Sequence, residues 1–179
     1  MRHETVIWVG YPERMKSITL LRHAKSSWEY AELSDFERPL NERGRADAPR
    51  MAARAAGELP SASRLISSPA TRAITTARIF AGPLGFEFDA LRIEPRLYNA
   101  TRKTLLELIH ALENTAGHVV LVGHNPGFSE LAHTLGKCPF DEMPTCAVAH
   151  FALKVKLWRD VAPGCGELLH FLFPKDGKN

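Results

Sequence analysis

Three short apolar runs in this chain each end abruptly in polar and cationic residues, and this pattern constrains the fold more than any other feature. The three endings are LRHAK at residues 21–25, SSPATR at residues 67–72 and GHNPG at residues 123–127. Each run has the length of a buried strand, and each ending lies where a helix would begin. Because the carboxyl ends of parallel strands meet at one edge of a sheet, we expect the three endings to share one crevice.

Strand-like and helix-like segments alternate along most of the chain. Strands are predicted over residues 18–22, 64–67, 86–93 and 118–122, and helices over 47–57, 69–81, 101–117 and 126–136. The expected N-caps of the first, second and fourth helices are Asp47, Ser68 and Asn125. Residues 147–158 and 166–173 are predicted as strands joined by a hairpin around a turn at Pro163. This alternation predicts an α/β fold with a mainly parallel sheet.

Composition narrows the functional class. A chain of 179 residues with 45% hydrophobic residues fits one globular domain, which we place at residues 17–179 after an N-terminal extension of residues 1–16. A net charge of +3 without a basic stripe argues against nucleic acid, and no segment has the ~20 apolar residues of a membrane span. Three cysteines without a C-x-x-C motif indicate neither a disulfide framework nor a metal site. We expect a cytoplasmic protein without a metal or cofactor.

The crevice would contain two arginines and two histidines: Arg22, His23, Arg72 and His124. Guanidinium groups offer forked donors that match phosphate oxygens, and a helix start near Arg72 favours anions. This set predicts a pocket for a phosphoryl group. A neutral His23 would attack phosphorus as the nucleophile, while His124 would donate a hydrogen bond to a phosphoryl oxygen.

The three endings resemble the signatures of the histidine phosphatase (phosphoglycerate-mutase-like) superfamily, from about residue 17 to at least residue 135. The continuation KSSW at residues 25–28 and the segment from Asp35 to Leu40 are similar to the SixA-type phosphohistidine phosphatase branch. The resemblance implies a three-layer sandwich with helices on both faces of the sheet. It also implies that Arg22, Arg72 and His124 hold the phosphoryl group that His23 accepts.

One position departs from the superfamily pattern. Many members carry an acidic general acid two residues after a leucine, whereas this chain has Asn99 after Leu97. An alkoxide leaving group needs that proton, a contribution of roughly 10²–10⁴ in rate, but a phosphoramidate leaving group needs little help. Asp35 is a candidate substitute donor, and Lys25 and Ser26 are candidate substrate-binding residues.

The leading hypothesis is therefore a phosphatase that acts on protein phosphohistidine. A phosphatase of small phosphometabolites is the alternative within the same class, and a non-catalytic phosphate-binding adaptor is the alternative outside it. The partner is in each case a phosphorylated protein or a small phosphorylated molecule. Retention of His23 favours the catalytic readings, and only about 50 residues between Arg72 and His124 leave little room for a closed small-molecule pocket.

Overall fold

A six-stranded sheet organises residues 15–174, the part of the chain that the computed structural model describes. In chain order the strands are β1 (Lys16–Arg22), β2 (Arg64–Ser67), β3 (Leu91–Ile93), β4 (His118–Gly123), β5 (Val148–Leu153) and β6 (Gly166–Leu172). The helices are α1 (Glu42–Glu58), α2 (Thr71–Ala81), α3 (Arg102–His110) and α4 (Gly127–Leu135).

The strand order is β3-β2-β4-β1-β5-β6, so the first strand of the chain lies in the middle of the sheet. Strands β3, β2, β4 and β1 run parallel, while β5 is antiparallel to β1 and β6 is antiparallel to β5. The predicted mainly parallel α/β fold with a hairpin at its end is confirmed.

Apolar side chains cover both faces of the sheet, because β4 and β5 are buried along their whole length. One core packs α3 and α4 against one face, around Phe128 and Phe151. The other core packs α1 and α2 against the opposite face, around Met51 and Phe80. The three layers predicted from the family resemblance are therefore present.

Helix α1 begins earlier than the sequence pattern predicted. The Asn41 side chain caps it by accepting a hydrogen bond of 2.8 Å from Gly44 N, so the helix starts at Glu42 rather than at Asp47. Pro49 then lies inside the helix, where it removes only the hydrogen bond that its own nitrogen would have donated. Asp47 is buried on this helix and accepts hydrogen bonds from two arginines of α1.

The second and fourth helices begin later than predicted. Ser68 N still bonds the β4 residue Val122, so the chain remains extended there and α2 starts only at Thr71. Ser68 is therefore not the N-cap. Asn125 is not an N-cap either, because its side chain bonds Met143 O and accepts from Ser129 Oγ, and α4 starts at Gly127.

Three predicted elements are shorter in the structure. The strand expected over residues 86–93 contains only β3, because residues 88–90 form a 3-10 turn. The helix expected to reach residue 117 ends at His110, and the strand expected over residues 147–158 ends at Leu153. Each difference shortens an element at the end far from the three strand endings, so none of them moves the predicted crevice.

The start of the chain bears on the predicted extension over residues 1–16. Residues 1–14 lie outside the described residues, whereas Lys16 is already part of β1 and donates to two backbone carbonyls of the segment before β4. The strand therefore begins two residues before the predicted start at residue 18. Across residues 15–174, no helix combines the length and apolar character needed to cross a membrane.

Candidate active site

Three neighbouring strands bring the predicted residues to one edge of the sheet. Arg22 pairs with Gly123 at the ends of β1 and β4, and Ser67 pairs with Val122 at the ends of β2 and β4. The residues that follow each strand are therefore side by side, as the sequence predicted. Arg72 joins them from the first turn of α2.

His23 is held in one neutral form. Its Nδ1 lies 2.8 Å from the carbonyl oxygen of Ala24, which can only accept, so Nδ1 carries the proton. Its Nε2 then accepts a hydrogen bond of 3.3 Å from Arg72 Nε. Burial lowers the pKa of His23 to about 3; the bond to Ala24 opposes this, and the charges of His124, Arg72 and Arg22 add to the lowering. Near neutral pH, His23 thus presents an unprotonated Nε2.

His124 lies beside His23, with 5.0 Å between the ring centroids. Its Nε2 is 2.7 Å from Ser68 Oγ, and that hydroxyl also accepts from Ala70 N, which leaves its proton free for His124. A proton donated by Ser68 Oγ to Nε2 would place the proton of His124 on Nδ1. Burial, and then the charge of Arg72, lower the pKa of His124 to about 4, so the ring is neutral near pH 7.

Two buried nitrogen atoms at this site have no hydrogen-bond partner. They are Arg22 Nε and His124 Nδ1, and among residues 15–174 no other buried side-chain nitrogen or oxygen shares this condition. An unsatisfied buried polar group costs about 1–3 kcal/mol, so two at one site indicate a place built for an acceptor. Arg22 is fixed there because its Nη1 donates to Met143 O. An oxyanion would satisfy both atoms.

The guanidinium of Arg72 is shared between His23 and Asp35. Its Nη2 donates to Asp35 Oδ2 at 2.9 Å, and its Nη1 donates to the Asp35 carbonyl oxygen. The same carboxylate accepts from Tyr98 at 2.8 Å and from Arg38 at 2.7 Å. The negatively charged Asp35 carboxylate and the Asp35 carbonyl therefore occupy donors of Arg72, the arginine that the sequence analysis assigned to the phosphoryl group.

The environment of Asp35 bears on its candidate role as a proton donor. Partial burial raises its pKa, but the hydrogen bonds from Tyr98, Arg72 and Arg38 outweigh this and hold the pKa below its usual value. A general acid needs a pKa near the working pH. The geometry thus favours Asp35 as an ionised partner of arginines, and its donor role stays an untested prediction.

Lys25 and Ser26 both border the cleft above His23, whose volume is about 180 Å³. Lys25 is exposed to solvent. Ser26 is buried, and its hydroxyl accepts a hydrogen bond from Arg38. Lys25 is thus placed to contact a bound molecule, whereas Ser26 positions Arg38 at the cleft wall.

The position of the usual general acid is occupied by an exposed residue. Asn99 has a φ of 48°, in the left-handed region that asparagine tolerates better than most residues. Nearby Glu94 bonds to Arg96 on the outside of the protein. The preceding residue, Tyr98, contacts the site, and its ring packs edge-on against His124 at 5.6 Å between centroids.

The sequence did not assign Ser68, Tyr98, Arg38 or Met143 to the site. The sequence pattern predicts Ser68 as a helix cap, but in the structure Ser68 N bonds Val122 O and the Ser68 hydroxyl bonds His124. Met143 contributes a backbone carbonyl, which no sequence motif signals. Within residues 15–174 no cluster of three or more histidine, cysteine or acidic side chains is arranged to hold a metal ion.

Comparison of the sequence with protein families and with known proteins identifies relatives of this chain. The family model of the histidine phosphatase superfamily (branch 1) matches residues 18–102, which include Arg22, His23 and Arg72. An uncharacterized protein of Mycobacterium tuberculosis is 31% identical over 166 residues, which are 87% of this chain and 100% of that protein.

Solved structures of SixA proteins share the fold. SixA from Agrobacterium tumefaciens is 30% identical, with a TM-score of 0.71 over 89% of this chain and 98% of that chain. SixA from Nakamurella multipartitia has a TM-score of 0.75 at 21% identity, covering 92% of this chain and 99% of its own. The protein histidine phosphatase SixA complexed with tungstate has a TM-score of 0.72 at 21% identity, over 87% of this chain and 96% of that chain.

Proposed function

Because this chain belongs to the histidine phosphatase superfamily, we propose that it hydrolyses phosphorylated substrates through a phosphohistidine on His23. We propose further that its substrate is protein phosphohistidine. The observation that carries the proposal is the single neutral form of His23: Nδ1 is bound to Ala24 O, and the unprotonated Nε2 faces Arg72.

In the first step His23 Nε2 attacks phosphorus, and the bond from phosphorus to the leaving group breaks. Negative charge spreads over the three equatorial phosphoryl oxygens in such a transition state. Arg22 Nε, the Arg72 guanidinium and His124 Nδ1 are the donors available for these oxygens. Arg22 and His124 are held in place before substrate binds, so they supply stabilisation with little reorganisation at the moment of reaction.

The leaving group decides which substrates react quickly. A phosphorylated imidazole that carries a proton on its second nitrogen departs as neutral imidazole, so it needs no general acid. An alkoxide needs a proton, and Asn99 supplies none at the position where many members of the superfamily carry an acid. This supports a preference for phosphorus–nitrogen over phosphorus–oxygen bonds.

In the second step, water attacks the phosphorus of phosphorylated His23. The bond to Nε2 breaks, inorganic phosphate leaves, and His23 returns to its neutral form. Nε2 keeps the electron pair of the broken bond, and both protons of the water leave on the phosphate as dihydrogen phosphate. The depressed pKa of His23 keeps Nε2 unprotonated near neutral pH.

A turnover screen tests the proposal. The protein is incubated with a phosphohistidine-bearing protein, N-phosphoryl imidazole, a phosphoserine peptide and a sugar phosphate, and phosphate release is measured. We expect turnover of the two phosphoramidates to exceed that of the two esters by at least about 10²-fold. Equal rates on esters would favour a phosphatase of small metabolites, and binding without turnover would favour an adaptor.

A further inference from the structure

A ten-residue segment at the mouth of the cleft has an unusual composition. We call it the rim loop, residues 28–37, with the sequence WEYAELSDFE. It contains four acidic and three aromatic residues and no lysine, arginine or histidine. Among the described residues, six large hydrophobic side chains are exposed, and three of them, Trp28, Tyr30 and Phe36, lie in this loop. Such a concentration of exposed aromatic surface indicates an interaction site.

The rim loop is anchored at both ends, so its surface is preorganised. Ser26 pairs with Leu40 across its base, and Phe36 O accepts a hydrogen bond from Thr71 N at the start of α2. The Arg38 guanidinium lies 3.2 Å from the ring centroid of Trp28, which lines the cleft and remains 75% exposed. One face of this indole already binds a cation, and much of the ring is open to solvent.

The cleft and its rim carry charges of opposite sign. The cleft is lined by four cationic side chains, Arg22, Lys25, Arg38 and Arg72. On the rim loop the exposed charges are all acidic, and Glu29, Glu32 and Glu37 are exposed to solvent. A small anionic metabolite would be attracted by the cationic cleft but repelled by the acidic rim. A basic polypeptide that carries a phosphoryl group would be attracted by both, through its phosphoryl group in the cleft and its basic side chains at the rim.

We propose that the rim loop docks a basic segment of the phosphorylated protein, beside the phosphorylated residue. Lysine and arginine side chains of that segment would pair with Glu29 and Glu32 and lie against the exposed aromatic rings. This inference rests on the proposed function for the phosphorylated residue itself, and it adds the chemistry of the partner around that residue.

The test compares two peptides that carry the same phosphohistidine, one flanked by lysine and arginine and the other by glutamate, with N-phosphoryl imidazole as a small substrate. The variant is Glu29→Lys/Glu32→Lys, whose two residues lie outside the phosphate pocket. The matched control is Glu87→Lys/Glu167→Lys, which makes the same charge change at exposed positions near the opposite edge of the sheet.

We expect the rim variant to raise the KM for the basic peptide by about tenfold and to lower the KM for the acidic peptide. The KM for N-phosphoryl imidazole should stay within about twofold of its value in the unaltered protein. The control should leave all three unchanged. For the unaltered protein, kcat/KM on the basic peptide should fall between ~50 mM and ~500 mM salt, and this decrease should be clearly smaller for the rim variant. Equal effects on both peptides, or no preference for the basic one, would overturn the proposal.

Binding of the same peptides without phosphate, measured by calorimetry, separates this inference from the proposed function. Tighter binding of the basic peptide to the unaltered protein than to the rim variant supports the docking surface even if phosphohistidine is not hydrolysed. Hydrolysis of N-phosphoryl imidazole without any discrimination between the peptides supports the proposed function and rejects the docking surface.

Discussion

Arg72 Nε donates a hydrogen bond of 3.3 Å to His23 Nε2, so the nitrogen proposed to attack phosphorus is oriented by the guanidinium proposed to hold the phosphoryl group. This contact must break, or be shared, when Nε2 forms its bond to phosphorus. Arg72 Nε can then turn to a phosphoryl oxygen, while Nη1 and Nη2 remain bonded to Asp35. The ground-state contact thus keeps both groups in place until substrate arrives.

The first prediction is that His23→Ala abolishes turnover while phosphate still binds. Arg22, Arg72 and His124 remain as donors, so the Kd for inorganic phosphate should change by less than about tenfold, whereas kcat should fall by about 10⁴-fold or more. Rapid quenching with labelled substrate should trap an acid-labile adduct on His23. The control His133→Ala alters an exposed histidine and should keep full activity. An adduct on His124 would contradict the mechanism.

The second prediction concerns Asp35, whose carboxylate competes for Arg72. Asp35→Asn removes the negative charge, so inorganic phosphate should bind about three- to tenfold more tightly. If Asp35 is instead the proton donor, kcat should fall by roughly 10²–10⁴ without tighter phosphate binding. Titration calorimetry and turnover of the same variant distinguish the two roles. Asp160→Asn, near the opposite edge of the sheet, is the matched control.

The third prediction is that an acid at position 99 broadens the substrate range. Asn99 has a φ of 48°, and aspartate tolerates this conformation better than glutamate does, so Asn99→Asp is the suitable variant. It should raise kcat on alkyl phosphates by at least about tenfold and change phosphohistidine turnover by less than about threefold. Parallel assays on both substrates measure the ratio. A uniform gain or loss on the two classes would remove Asn99 from the explanation of specificity.

The fourth prediction uses two glycines of helix α1. A Cβ on Gly44 would lie 2.1 Å from the carbonyl oxygen of Lys25, whereas a Cβ on Gly57 would meet nothing within 4 Å. Gly44→Ala should therefore lower the free energy of unfolding by about 1–3 kcal/mol and reduce activity, because it displaces the backbone that follows His23. Gly57→Ala should raise the unfolding free energy by up to about 1 kcal/mol at unchanged activity. Urea unfolding and turnover of both variants check this contrast.

The fifth prediction is a pH dependence of stability from buried histidines. Thr19 Oγ1 lies 2.8 Å from both His118 Nε2 and His150 Nδ1, and burial first, then the neighbouring histidine charges, lower the pKa of His150 to about 3. The unfolded chain binds a proton there below about pH 6.5 and the folded chain does not. The contribution of His150 is thus complete above pH 6.5 and is lost as the pH falls toward 3, at about 1.4 kcal/mol per pH unit.

His150→Asn tests this, since the asparagine amide can keep the hydrogen bond to Thr19 but does not titrate. The slope of unfolding free energy against pH, measured in urea between about pH 5 and 6, should decrease by about 1.4 kcal/mol per pH unit. His23, His118 and His124 also have lowered pKa values and still contribute to the pH dependence of the unfolding free energy, so the slope should not vanish. An unchanged slope would show that His150 does not contribute.

The crevice itself could be predicted from sequence, because three buried strands of similar length leave little freedom in how their ends align. The residue at which each helix starts could not be predicted. Asn41, Ser68 and Asn125 can all act as N-caps, and strand pairing and packing decide which of them does. The hydrogen-bonded ion pair between Arg72 and Asp35 could not be predicted from the sequence either. It depends on a long loop that returns to the start of α2, and no local pattern fixes where such a loop closes.

The position of β1 in the middle of the sheet has a consequence for the order in which the protein becomes functional during synthesis. Its parallel neighbour begins at His118, and Arg22 is anchored by the carbonyl of Met143. A nascent chain that carries His23 therefore remains without an assembled phosphate pocket until the ribosome has added more than 100 further residues. Partial translation products therefore carry the proposed nucleophile without the residues that complete its pocket, so we expect them to hydrolyse no phosphorylated substrate.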